Sequence, residues 1–281
     1  MIPSIELETK GLPNWCPGCG NYGILTALKQ ALSELDIPQK DIVLTSGIGC
    51  SSKIPHWVRV YAYNGLHGRA LPLAEGIRLA NNKLTVITCG GDGDGYAEGT
   101  AHFIHFSRYN MNIKYFVHDN QVYGLTKGQV SPTSDEGFVT KTTPFGSVEK
   151  ALNPLIMALS AGATFAARGY AGNVSQLKEL MKKAIMHKGS ALLDILQPCV
   201  TFNHKNTYEW YSKRVYELET PLKTRNEAIS KAAEWGEKIP VGVFFDSDEE
   251  TYEDKLPQLK EKSLIEEEPK TDIKQLLKEL K

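Results

Sequence analysis

Two short apolar runs, each ending in residues suited to a turn, restrict this chain more than any other feature of its sequence. Leu84-Thr85-Val86-Ile87-Thr88 leads into Gly91-Asp92-Gly93-Asp94-Gly95, and Ile113-Lys114-Tyr115-Phe116-Val117 leads into Asp119-Asn120-Gln121-Val122-Tyr123-Gly124. Short β-branched and aromatic runs bounded by turn residues read as buried strands. Helical spacing predicts a helix from Asn21 to Leu35, with Ile24, Leu25, Leu28, Leu32 and Leu35 on one face, and further helices near 71–81, 97–109, 148–160 and 174–187. Strands are also expected near 41–45, 163–167 and 190–196. Alternation of this kind needs crossover connections, so the expected fold class is α/β, a mostly parallel sheet flanked by helices.

In such a sheet, ligands bind beyond the carboxyl ends of the strands, where helix N-termini also offer free N–H groups. Both turns fall at such ends. Glycine lets backbone come close to a phosphate, while Asp92 and Asn120 offer the hard oxygens that magnesium takes at about 2.1 Å when it bridges protein and phosphate. Together the two turns read as a diphosphate and magnesium site. The interval from Asn120 to Ser147, rich in Gly, Thr, Pro and Ser, starts at one of these ligands and reads as an active-site loop.

Five cysteines are present, an odd count, and no apolar signal segment precedes them, so metal or redox chemistry is expected rather than a disulfide framework. Cys16 and Cys19 stand two residues apart in Cys16-Pro17-Gly18-Cys19-Gly20, and Cys50 and Cys199 each follow a predicted strand at the same sheet end as the diphosphate turns. Four thiolates so placed suit either a tetrahedral zinc or a 4Fe-4S cluster, and spacing alone does not separate the two. Cys89 ends an apolar strand and reads as a buried free thiol.

The Gly91-Asp92-Gly93 opening with Asn120 downstream resembles the thiamine diphosphate motif. Joined to Cys16-Pro17-Gly18-Cys19-Gly20, Gly47-Ile48-Gly49-Cys50-Ser51, the run from Asn120 to Gln129 and Gln197-Pro198-Cys199, it is similar to the β subunit of a 2-oxoacid:ferredoxin oxidoreductase over about residues 12–205. Leu125-Thr126-Lys127-Gly128-Gln129 looks most like the archaeal, broad-specificity form. The resemblance implies the thiamine diphosphate-binding fold. It implies Asp92, Asn120 and the Val122 carbonyl as Mg²⁺ ligands, and Gly93, Asp94, Gly124 and Leu125 against the cofactor, with Ile48, Gly49, Cys50 and Ser51 also touching it. Cys16, Cys19, Cys50 and Cys199 would then ligate one 4Fe-4S cluster, which tips the choice of metal toward iron.

The implied activity is oxidative decarboxylation of a 2-oxoacid such as pyruvate with coenzyme A, electrons leaving through the cluster to ferredoxin. Thiamine chemistry also needs a glutamate from a separate pyrimidine-binding domain. This chain has room for one α/β domain and a tail, so a larger α subunit is expected to complete the site in a heterodimeric unit. The same diphosphate motif would also serve a non-oxidative thiamine decarboxylase or carboligase with a zinc held by the cysteines, or a non-catalytic diphosphate-binding subunit.

Three further side chains are expected in the site. Lys127 and Lys53 would each offer an ammonium to the substrate carboxylate, and His67, in a glycine-flanked loop, would hydrogen-bond diphosphate or a reacting intermediate. The expected division is 1–20 as an N-terminal cluster-binding segment, 21–205 as the cofactor domain, and 206–281 as an extension ending in a charged tail. Asp248-Glu249-Glu250 and Glu266-Glu267-Glu268 read as solvated faces, and 272–281 as an amphipathic helix. A formal charge of −1 gives no reason to expect nucleic acid. No apolar stretch approaches the roughly 20 residues that cross a bilayer, so a cytoplasmic protein is expected.

Overall fold

The chain's strands and helices alternate as their periodicity requires. In a computed structural model, which describes residues 3–260, 262–267 and 272–280, α1 (Asn21–Leu35) precedes β1 (Ile42–Ser46) and β2 (Tyr61–Asn64). Then come α2 (Ala70–Ala80), β3 (Thr85–Gly91), α3 (Thr100–Tyr109), β4 (Ile113–Asp119), α4 (Pro154–Ala161), β5 (Phe165–Tyr170), α5 (Val174–Met186) and β6 (Ala191–Leu196). The later elements are α6 (Tyr208–Ser212), β7 (Val215–Glu217), α7 (Arg225–Ala232), β8 (Ile239–Asp246) and α8 (Ile273–Glu279).

One eight-stranded sheet runs in the order β2-β1-β3-β4-β6-β5-β8-β7. All neighbours pair in parallel except β5 with β8. The four central strands bury both faces, which is why they read as apolar runs without alternation. On one face α1 and α5 pack Leu28, Leu32, Leu177 and Met181 against Leu44, Ile87, Phe116 and Leu193. On the other, α2 and α3 bring Leu71, Phe103 and Phe106 onto Val86, Tyr115, Val117 and Leu192. Strand order reverses at β1, which has β2 on one side and β3 on the other, and such a switch point opens a crevice at the carboxyl edge.

The structure departs from expectation at several points, one of them the unexpected edge strand β2. The helix expected from 148 begins at Pro154, because proline suits the first helical position and Asn153 caps it by accepting the Ile156 N–H at 3.2 Å. The helix expected from 97 is divided: a single-turn π-helix spans Gly93–Glu98, and α3 starts only after Gly99. Residues 206–246 of the expected extension carry β7, α7 and β8, so part of that segment completes the sheet and buries Ala228, Ala232, Phe244 and Phe245 over α4.

The described members of the two charge runs are solvated, Glu266 and Glu267 included, but the tail between them is not exposed throughout. Asp248, Glu249 and Glu250 are exposed, but Glu253 is buried and meets the buried Arg78 guanidinium at 2.5 Å, and Ser263 is wholly buried. Glu268 and Lys281 of the tail readings lie outside the described residues. No helix among the described residues is long and apolar enough to cross a membrane.

Phe116 sits fully buried at the middle of the sheet, under α1 and α5. Phe116→Ala is expected to lower unfolding stability by about 3–5 kcal/mol, read by chemical denaturation.

Candidate active site

Parallel pairing places the ends of β1, β3, β4 and β6 along one edge, and each delivers a loop there. Ile48, Gly49, Cys50 and Ser51 come from the first loop, Asp92, Gly93 and Asp94 from the second, Asn120, Val122, Gly124 and Leu125 from the third. With His67, His118, Tyr123 and Gln197 they line a single cleft of about 70 Å³.

Asp94 ties the cleft together. Its Oδ1 accepts the backbone N–H groups of Ile48 at 2.9 Å and Gly68 at 2.8 Å, and His67 Nδ1 lies 3.0 Å away. Burial pushes its carboxyl above the usual range, against the pull of those N–H donors and of His67. The Gly47 backbone passes so close that a Cβ there would collide with the Asp94 carboxylate.

Asp92 is 2% exposed. Its Oδ2 accepts the Ser131 hydroxyl at 2.5 Å and the Thr133 hydroxyl at 2.7 Å, both from the long loop after β4. Burial raises its carboxyl, opposed by hydroxyl and backbone donors rather than by a cationic side chain. A buried carboxylate supported only by neutral donors suits a bound cation. Asn120 lies opposite, with its Oδ1 accepting the Val122 N–H at 3.1 Å and Gln121 in the left-handed region between them.

Next to this cleft lies a second cavity, of about 200 Å³, lined by Cys16, Cys19, Cys50 and Cys199 together with Lys53, Lys127 and Phe202. Asn120, Gly124, Leu125, Cys50 and Gln197 line both. A Cβ at Gly124 would stand 3.7 Å from the Sγ of both Cys50 and Cys199. Burial pushes the Cys19 thiol up to about 12, against the Asn21 backbone N–H, and Cys199, Cys50 and Cys16 add to the rise. Burial likewise raises Cys50, while the Lys53 ammonium pulls it back. The N-terminal segment is latched here by Trp15, whose Nε1 donates to the Cys50 carbonyl at 2.7 Å. Among the described residues no group of three or more His, Cys, Asp or Glu is gathered tightly enough to hold one metal ion.

Residues 47–195 match the family described as thiamine pyrophosphate enzyme, C-terminal TPP binding domain, and residues 199–261 match the family that describes the C terminal part of the pyruvate ferredoxin oxidoreductase beta chain. The 2-oxoacid:ferredoxin oxidoreductase subunit beta of Saccharolobus solfataricus is 46% identical over 95% of this chain and 96% of its own length. The chain belongs to the 2-oxoacid:ferredoxin oxidoreductase β-subunit family. Within that family the 2-oxoglutarate synthase subunit KorB of Methanocaldococcus jannaschii is 35% identical over 93% of the chain and 98% of that protein. A solved 2-oxoglutarate:ferredoxin oxidoreductase from Magnetococcus marinus, with 2-oxoglutarate, coenzyme A and succinyl-CoA bound, superposes with a TM-score of 0.92 at 36% identity. That match covers all of this chain and 96% of the other.

For this oxidoreductase subunit the structure brings each expected ligand, cofactor contact and catalytic side chain to one of the two adjoining cavities. Lys53 and Lys127 both reach the cysteine cavity rather than the cleft, whereas His67 lines the cleft. Lys127 holds a left-handed backbone, φ 78°, in a tight turn closed by Gly128 N–H to the Tyr123 carbonyl at 2.8 Å. Cys89 is buried apart from the set, its thiol pushed up to about 12 by burial.

Four residues of the site escape sequence reasoning. Ser131 and Thr133 act on Asp92 from across the loop. His118, fully buried on β4, has Nδ1 2.6 Å from Asn21 Oδ1 and Nε2 without a partner, and burial pushes it down to about 3, so it is neutral. Tyr123 lies over Gly93 and donates to Glu98 at 3.1 Å. The one available signal was position, since His118 immediately precedes Asp119-Asn120 at a strand end.

Gly47→Ala is expected to lower the melting stability of the cofactor-free protein by about 1–3 kcal/mol, as overpacking against a fixed carboxylate does. Gly76→Ala, in a helix with open space around it, is expected to stabilise by about 0.5–1 kcal/mol and serves as the control.

Proposed function

We propose that this chain carries thiamine diphosphate, Mg²⁺ and one 4Fe-4S cluster, and that with a larger α subunit it catalyses CoA-dependent oxidative decarboxylation of 2-oxoacids. The balanced reaction converts a 2-oxoacid, coenzyme A and two oxidised ferredoxins to acyl-CoA, carbon dioxide, two reduced ferredoxins and a proton. The observation that carries this reading is the shared wall: Cys50, Asn120, Gly124, Leu125 and Gln197 line both the cleft and the cysteine cavity. Two cofactors placed on either side of that wall would be neighbours.

Thiamine diphosphate supplies the carbanion chemistry at the 2-oxo carbon, magnesium the charge that holds its diphosphate, and an iron–sulfur cluster the one-electron exit. The residues of this chain bind and orient. Asp92, Asn120 and the Val122 carbonyl would hold the cation, and the buried carboxylate kept in place by Ser131 and Thr133 fits that task. Gly93, Asp94, Ile48, Gly49, Ser51, Gly124, Leu125 and His67 would lie against the cofactor, and His67 is poised beside Asp94 to donate a hydrogen bond.

Cys16, Cys19, Cys50 and Cys199 would ligate the cluster. A zinc would draw four sulfurs to about 2.3 Å from a single point. Thiols spread around a cavity of about 200 Å³ suit a multi-iron cluster better. Lys53 and Lys127, which line that cavity, would meet the substrate carboxylate. A cleft of about 70 Å³ is well below the roughly 300 Å³ at which pockets enclose a sizeable ligand, which supports its closure by a larger partner.

The deciding experiment is anaerobic purification of the native αβ complex. The expected result is a brown, iron-containing protein that reduces ferredoxin or a viologen with 2-oxoacids and CoA; a colourless, zinc-containing preparation would refute the reading. Asp92→Ala is expected to abolish magnesium-dependent thiamine diphosphate binding, measured by calorimetry, with the far-UV spectrum unchanged. Lys127→Ala is expected to raise KM for oxoacids more than KM for CoA, and equal effects on both would remove its carboxylate role.

A further inference from the structure

The Gln197-Pro198-Cys199 motif contributes a thiol through its last residue, but its first residue has a more pointed position. Gln197 follows β6 directly and is 2% exposed. Its backbone N–H continues the ladder by donating to the Asp119 carbonyl at 2.8 Å, which fixes the Cα beside the proposed cation ligands. Its stem is fixed as well: a Cβ on Gly20 would fall 2.7 Å from Gln197 Cγ, so the glycine after Cys19 is what makes room for it.

The amide at the end of that stem has two N–H bonds, and both are used. Nε2 donates to the Pro198 carbonyl at 3.0 Å and lies 3.4 Å from Cys19 Sγ. The Pro198 carbonyl oxygen can only accept, so the NH₂ end must face it. The reversed amide would set oxygen against oxygen and against sulfur. Oε1, on the other side of the same amide, is buried and without a partner. The remaining donors near the four sulfurs are backbone N–H groups, from Asn21 toward Cys19 and from Thr201, Phe202 and Asn203 toward Cys199. Gln197 is therefore the side-chain donor to this sulfur set among the described residues, and it stands on the wall shared with the cofactor cleft.

We propose that Gln197 is a positioning residue for electron transfer, raising the reduction potential of the cluster through an N–H···S hydrogen bond to Cys19. This inference rests on the iron–sulfur reading of the four thiols. A cluster that accepts one electron gains one negative charge, much of it on its sulfurs. An N–H dipole aimed at a ligand sulfur stabilises the reduced form more than the oxidised one, and hydrogen bonds to the sulfurs are among the factors that set such potentials.

The test uses the anaerobically purified native complex with wild-type, Gln197→Leu and Gln197→Glu β subunits. Leucine keeps the bulk and loses both donors, and glutamate keeps the shape while turning a carboxylate toward the sulfur. At equal iron content the midpoint potential, by EPR-monitored titration, is expected to become more negative in the order wild type, Leu, Glu. Wild-type protein labelled with ¹⁵N in the glutamine side chain is expected to show a nitrogen coupling in the pulsed EPR of the reduced cluster. This readout stands even if a variant fails to load iron, because Gln197 is the glutamine lining that cavity. A wild-type cluster signal with no such coupling, or potentials unchanged in both variants, overturns the Gln197 assignment and leaves the cluster reading intact. A wild-type complex without iron overturns both.

Discussion

Everything at this site follows from four strands pointing the same way. Parallel pairing of β1, β3, β4 and β6 brings their carboxyl ends to one edge, so loops that start near 47, 92, 120 and 197 emerge side by side although long stretches of chain separate them. The strands hold this alignment because both faces are buried under helices, and a one-residue slip of any of them would turn its apolar residues over and dismantle a core layer. The precision of the site is therefore inherited from hydrophobic packing on both sides of the sheet.

A second layer of constraint is polar. Asp94 gathers the loops after β1 and β3 and the turn before α2 through two backbone N–H groups, and Thr133 lies within hydrogen-bond distance of both Asp92 at 2.7 Å and Asp119 at 2.6 Å. The long loop after β4 is thus fastened to the very carboxylate that would hold the cation. Its order and the geometry of that carboxylate depend on each other, which accounts for a well-packed segment from 131 to 134 inside a stretch whose composition is that of a flexible connection.

The sequence made the central sheet legible because its strands are uninterrupted apolar runs, and it made the site legible because Asp92, Asn120 and the cysteines stand at strand ends with few alternative roles. What stayed hidden is physical in origin. Strand β8 carries Pro240 and Gly242, both poor signals for a strand, and an irregularity opposite Ala166 and Ala167 breaks the alternation so that Phe244 and Phe245 enter the same apolar cluster. Ser131, Thr133 and His118 owe their importance to partners far along the chain, and no local pattern encodes such a contact. Arg78 and Glu253 illustrate the same point in the tail, where the charge runs at 248–250 and 266–267 are solvated but a lone glutamate between them is buried by an opposite charge from α2.

The latch between Trp15 and the Cys50 carbonyl has a bearing on how the molecule is made. Cys16 and Cys19 precede α1, Cys50 follows β1 and Cys199 follows β6, so ribosomal synthesis delivers three of the four thiols long before the last. Cys16 remains solvent-accessible in the finished fold. The set of four is complete only once β6 and the residues after it have been made, so the order of synthesis bears on this edge of the sheet as well as its final shape.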